Sequence, residues 1–123
     1  MFCRIIRQNA GLLGLAAVLA LGATQAEAHA QLVSAEPAAN ASVGAPATIV
    51  LHFNEALEAR VSSFKLTDID GNQVAVTPAS APDNKSLAAT PATPLAPGLY
   101  TVSWTAVGDD AHAMMGTFSF TVK

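Results

Sequence analysis

Leu95-Ala-Pro-Gly-Leu-Tyr-Thr-Val-Ser-Trp-Thr-Ala-Val107 is the stretch that decides the fold of this chain. From Leu99 onward, apolar and small polar residues alternate, which sets Tyr100, Val102 and Trp104 on one face of an extended strand. Pro97 and Gly98 stand just before it and place Tyr100 at the strand's head. That is the position of a tyrosine corner, in which the phenol bonds back to nearby backbone in Greek-key sandwiches. The same period of two recurs elsewhere. Thr48-Ile-Val-Leu-His-Phe-Asn54 puts Leu51 and Phe53 on one face and Val50 and His52 on the other, and Gly116-Thr-Phe-Ser-Phe-Thr-Val122 aligns Phe118, Phe120 and Val122. Phe64-Lys-Leu-Thr67 and Val74-Ala-Val-Thr77 are shorter runs of the same kind, with Asp70-Gly-Asn72 between them as a hairpin turn. Only Ala56–Arg60 admits a helical turn. The Pro/Ala-rich stretches 37–47 and 78–97 read as turns or edge strands within one domain. The spacing predicts an all-β Greek-key β-sandwich of about seven antiparallel strands.

The first thirty residues carry a different pattern. Arg4 and Arg7 precede an apolar run over 10–23, which leads into Gln25-Ala-Glu-Ala28. A basic start, a short apolar stretch and small residues at the end make a secretory signal peptide. The run falls short of the roughly 20 apolar residues that span a bilayer. Ala26-Glu-Ala28 allows cleavage before His29, and Ala28-His-Ala30 allows it after Ala30, on equal small-residue grounds. With residues 1–28 removed, about 95 remain, enough for one domain and not two. That remainder carries Arg60, Lys65, Lys85 and Lys123 against eight acids, a net charge near −4. Such a surface argues against nucleic acid as a partner, because phosphate binding needs clustered Lys and Arg. The single cysteine, Cys3, leaves with the signal, so the exported domain has neither disulfide nor thiolate ligand and holds itself by its core.

Three residues suggest a metal. His29, if it opens the processed chain, offers an α-amine and an imidazole from one residue. Asp110 and His112 add a carboxylate and a second imidazole in Gly108-Asp-Asp-Ala-His112. A nitrogen/oxygen set of this kind suits Cu(II), with Zn²⁺ as the competing ion. Taken singly, each has an ordinary reading: a histidine beside a processing site, and turn-forming residues in a loop. His52 reads as an exposed strand histidine, and Trp104 as a core aromatic. Glu55 reads either as an acid orienting a ligand imidazole or as a solvated loop carboxylate. Of Met114 and Met115, thioethers able to meet Cu(I), one must face inward if this segment is strand. Asp109 could substitute for Asp110 but should point the other way.

Together these segments resemble the CopC family of periplasmic copper-resistance proteins, including its YobA-type members, across 29–123. The resemblance rests on His29-Ala-Gln-Leu-Val-Ser-Ala-Glu-Pro37, Ile49-Val-Leu-His-Phe-Asn-Glu55, Leu95 to Trp104, and Asp110-Ala-His112 ahead of Gly116-Thr-Phe-Ser-Phe-Thr-Val122. It implies an immunoglobulin-like β-sandwich that holds one Cu(II) ion per chain through His29, Asp110 and His112, with Glu55 supporting the site from outside the ligand set. It favours cleavage after Ala28, which gives a signal peptide at 1–28 and a periplasmic domain at 29–123. Some relatives bind Cu(I) through a methionine-rich loop; the matching stretch here, 56–80, has no methionine, so a Cu(II)-only protein is expected. Ala113 stands where the family usually carries proline, and Met114-Met115 is unusual there. The implied role is a monomeric, non-catalytic copper carrier or buffer in copper homeostasis and resistance, able to pass the ion to an inner-membrane transporter of the CopD type. Two other readings stay open: a copper mono-oxygenase-like enzyme, since those also chelate copper through an N-terminal histidine, and a metal-free adhesion or structural sandwich.

Overall fold

The computed structural model describes residues 30–123. The expected signal peptide and His29 lie outside the described residues. Among the described residues, nine strands form two packed sheets. β1 (Leu32–Glu36), β3 (Ile49–Phe53), β7 (Ser86–Pro91) and β6 (Val76–Pro78) make a four-stranded sheet in the order β1-β3-β7-β6. β2 (Ser42–Val43), β9 (Ala113–Val122), β8 (Gly98–Val107), β4 (Ser63–Thr67) and β5 (Gln73–Val74) make the other, in the order β2-β9-β8-β4-β5. All neighbours run antiparallel except β2, which lies parallel to β9. The all-β sandwich expected from the alternation is therefore present, and the two-residue β2 and β5 account for the strands beyond seven.

The inward faces follow the sequence period. Ile49, Leu51 and Phe53 of β3 are buried, as are Tyr100, Val102 and Ala106 of β8 and Phe120 and Val122 of β9. The Val, Leu, Ile and Phe side chains among them each contribute about 1.5–3 kcal/mol on burial. Tyr100 donates its hydroxyl proton to the Ala96 carbonyl at 2.7 Å, which is the tyrosine corner predicted above, and its ring stacks on Phe120 at 5.8 Å between centroids. Phe53 meets Trp104 edge-on at 5.1 Å and so joins the two sheets.

Two local readings need correction. The run Val74–Thr77 is not one strand. Val74 pairs with Leu66 in one sheet and Val76 with Pro91 in the other, so the chain changes sheets at Ala75. The stretch 78–97, read as turns or edge strands, contains β7, an internal strand flanked by β3 and β6. Its small residues, Ala88 and Ala89, carry little alternation, and Pro91 sits at its end where a missing N–H is tolerated. The expected helical turn is a short 3-10 turn at Ala59–Val61.

Trp104 lies over Gly116, its partner across the β8–β9 ladder. A Cβ at Gly116 would fall 2.5 Å from Trp104 Cζ2, in the body of the indole rather than at a movable tip. Since that ring also packs edge-on against Phe53, Gly116→Ala is expected to destabilise the domain by about 1–3 kcal/mol, the usual cost of overpacking. Urea unfolding followed by Trp104 fluorescence checks this, and a shifted emission maximum in the folded variant should accompany it.

Candidate metal centre

The end of the sandwich that carries the candidate ligands is built from three segments. At the first, Ala30 is fully buried, and Gln31 exchanges two hydrogen bonds with Asn54: its amide donates to Asn54 Oδ1 at 2.8 Å, and its carbonyl accepts from the Asn54 amide at 3.1 Å. The second, Asn54–Glu58, is tied to the end of β8 by a Leu57–Gly108 bridge and by the Glu58 amide donating to the Val107 carbonyl at 2.8 Å. The third is the loop 108–112 between β8 and β9. Ala113, the position where proline is usual, starts β9 opposite Val107 and closes that loop.

Within the loop, the Ala111 amide donates to the Gly108 carbonyl, and Ala111 adopts a left-handed φ of 65°. For a residue with a Cβ that conformation costs about 1–2 kcal/mol. It turns Asp110 and His112 toward each other. The His112 amide donates to Asp110 Oδ1 at 3.1 Å, and His112 Nδ1 stands 3.2 Å from Asp110 Oδ2. Two adjacent ligands on one ion, each about 2.0–2.2 Å from it, sit roughly 3 Å apart, so this carboxylate and imidazole already stand at a spacing that suits a shared cation. The His112 side chain is mostly exposed and that of Asp110 less so. Among the described residues no three His, Cys, Asp or Glu side chains stand together. The described part therefore contains two residues of the expected set, and the third residue expected, His29, lies outside it.

Glu55 sits beneath this loop. Its carboxylate packs against Gly108 so closely that a Cβ there would lie 2.7 Å from Oε2. Glu55 Oε2 is buried with no hydrogen-bond partner among the described residues. Leaving such an oxygen unsatisfied costs of order 1–3 kcal/mol, so it calls for a donor or a positive charge nearby. A solvated loop acid does not fit this position. Neither of two surface clefts, of about 430 Å³ around Trp104 and Met115 and about 610 Å³ between β4 and β7, is lined by Asp110, His112 or Glu55.

His52 is not the exposed strand histidine expected from alternation. It is half-buried on the outer face of β3, with Nδ1 at 3.0 Å from Ser86 Oγ. The signal for this partner lies in β7, which the sequence did not mark as a strand. Met115 is exposed and Met114 half-buried, as the alternation required.

Comparison with known proteins fits this construction. The CopC domain family matches residues 32–123. The chain belongs to the CopC family. Copper resistance protein C of Xanthomonas campestris pv. juglandis is 40% identical over 110 residues, covering 84% of this chain and 87% of the relative. Protein YobA of Escherichia coli (strain K12) is 40% identical over 99 residues, covering 78% of this chain and 80% of YobA. The crystal structure of PcoC, a methionine-rich copper resistance protein from Escherichia coli, superposes with a TM-score of 0.72 at 40% identity, covering 78% of this chain and all of PcoC. Copper resistance is thus the role for which the Xanthomonas campestris relative and PcoC are named.

Proposed function

We propose that this CopC-family chain is an exported copper-binding protein that holds one Cu(II) ion through His29, Asp110 and His112 and serves as a carrier or buffer. The observation that carries the reading is the Asp110–His112 pair, a carboxylate and an imidazole 3.2 Å apart on a loop fixed at both ends. Ala30 is buried and Gln31 is bonded to Asn54, the neighbour of Glu55 in the chain, so the first described residues lie against the segment that packs under this loop. Cleavage after Ala28 would give His29 a free α-amine, completing a tetragonal nitrogen/oxygen set of the type Cu(II) prefers. Glu55 supports the site from beneath, its unpartnered oxygen adding negative charge near the cation. PcoC is named as methionine-rich; this chain has three methionines and none in 56–80, which favours Cu(II) alone.

The exposure of the pair suits an ion that arrives and leaves with a partner, for which an inner-membrane transporter of the CopD type is the candidate. With residues 1–28 removed, the domain is periplasmic.

Titration of the exported protein with Cu(II), followed by paramagnetic resonance, tests this reading. One equivalent should give a tetragonal spectrum with nitrogen hyperfine structure. Imidazole and amine bind only when deprotonated, so protons compete with the ion and affinity should fall steadily from pH 8 to pH 5. A flat pH profile, or a spectrum without nitrogen ligands, would contradict the assignment.

A further inference from the structure

A second group of polar residues lies on the outer face of the four-stranded sheet, on β1, β3 and the start of β7. Ser86 donates its hydroxyl proton to Asp83 Oδ1 at 2.8 Å. A serine has one such proton, so Ser86 Oγ can only accept from His52 Nδ1, 3.0 Å away. His52 Nδ1 therefore carries a hydrogen, and whenever the ring holds only that one, Nε2 presents a lone pair. The Asp83 carboxyl is held below its usual range, first by the Ser86 hydroxyl and next by the Lys85 amide, which keeps it a strong acceptor at the end of the chain.

This relay of imidazole N–H to hydroxyl to carboxylate is the arrangement that fixes the tautomer of metal-binding histidines and makes the other nitrogen a better donor. Ser86 is buried and its proton is committed to Asp83, so the trio is not arranged as a nucleophile with its base. What faces Nε2 is Glu36 Oε2, 3.7 Å away on β1. Two acceptors opposed at that distance repel unless a positive charge lies between them. Either a proton on Nε2 or a cation bonded to both would supply it. An ion about 2.0–2.2 Å from each atom holds adjacent ligands roughly 3 Å apart, a spacing the largely exposed Glu36 carboxylate reaches by closing a few tenths of an ångström from 3.7 Å.

We propose that His52 Nε2 and Glu36 form a second, weaker site for a divalent late transition ion, with Cu(II) preferred over Zn²⁺ and water filling the remaining positions. The preference follows the general order of affinity at nitrogen/oxygen sites. The site shares no residue with the His29, Asp110 and His112 set and does not depend on it.

The exported protein, titrated with Cu(II) past one equivalent, tests this. A second equivalent should bind more weakly and perturb the amide resonances of residues 34–36, 52 and 86. In His52→Gln, whose amide can still donate to Ser86, the second equivalent should weaken at least tenfold while the first is unchanged. Ser86→Ala, which removes only the relay, should weaken it by about 10–100-fold. In His112→Ala the first equivalent should be lost and the second retained. The proposal is overturned if no second equivalent appears, if it persists in His52→Gln, or if the shifts fall elsewhere. Loss of the first equivalent in the unaltered chain would strike instead at the Asp110–His112 reading.

Discussion

His112→Ala is expected to lower Cu(II) affinity by about a hundredfold or more. Removing a residue that merely orients a ligand costs 10–100-fold, and His112 is proposed as a ligand itself. The loss should come without unfolding. His112 is exposed in a loop between β8 and β9, where substitutions shift stability by about 0.5 kcal/mol or less in the absence of metal. Competition titration against a chelator of known affinity reads the first quantity and urea unfolding of the metal-free protein the second. Asp110→Asn should weaken binding in the same direction, because it removes the negative charge that neutralises the ion while keeping an acceptor oxygen. Retained affinity in both variants would show that the loop is a turn and nothing more.

Phe120→Ala carries the largest expected effect on stability, about 3–5 kcal/mol. Phe120 is 1% exposed, and its ring stacks on Tyr100, whose hydroxyl fixes the corner at Ala96. A domain of this size has about 5–14 kcal/mol in total, so the variant loses between about a fifth and all of it. The measurement is the urea midpoint, with and without Cu(II). An ion that binds only the folded state adds about 4 kcal/mol at a thousandfold excess over Kd, enough to offset most of the damage. Copper should therefore raise the midpoint of Phe120→Ala, and at the same concentration raise that of the doubly substituted Phe120→Ala/His112→Ala far less, by about 1.4 kcal/mol or below.

The alternation over Leu99–Val107 and Gly116–Val122 was enough to place Tyr100, Val102, Phe118 and Phe120 on the inward face, because a strand's period of two is set by backbone geometry alone. The tyrosine corner was legible for the same reason. β7 was not. Its inward residues are small, its flanks are rich in proline and alanine, and its place between β3 and β6 is decided by hydrogen bonding across the sheet. Missing β7 also hid Ser86, and with it the partner that half-buries His52. At the candidate centre, the Asp-X-His spacing named Asp110 and His112, but the left-handed turn at Ala111 that makes them face each other has no mark in the sequence, since alanine rarely adopts it. The burial of Glu55 against Gly108 was equally invisible, because it depends on two loops meeting at one end of the sandwich.

The proposed copper site rests on the residue that opens the processed chain. The intact mass of the protein recovered from the periplasm measures that directly. A mass beginning at His29 is predicted, with the α-amine and imidazole present beside the Asp110–His112 loop. A mass beginning at Gln31 would remove two of the proposed donors and contradict the site.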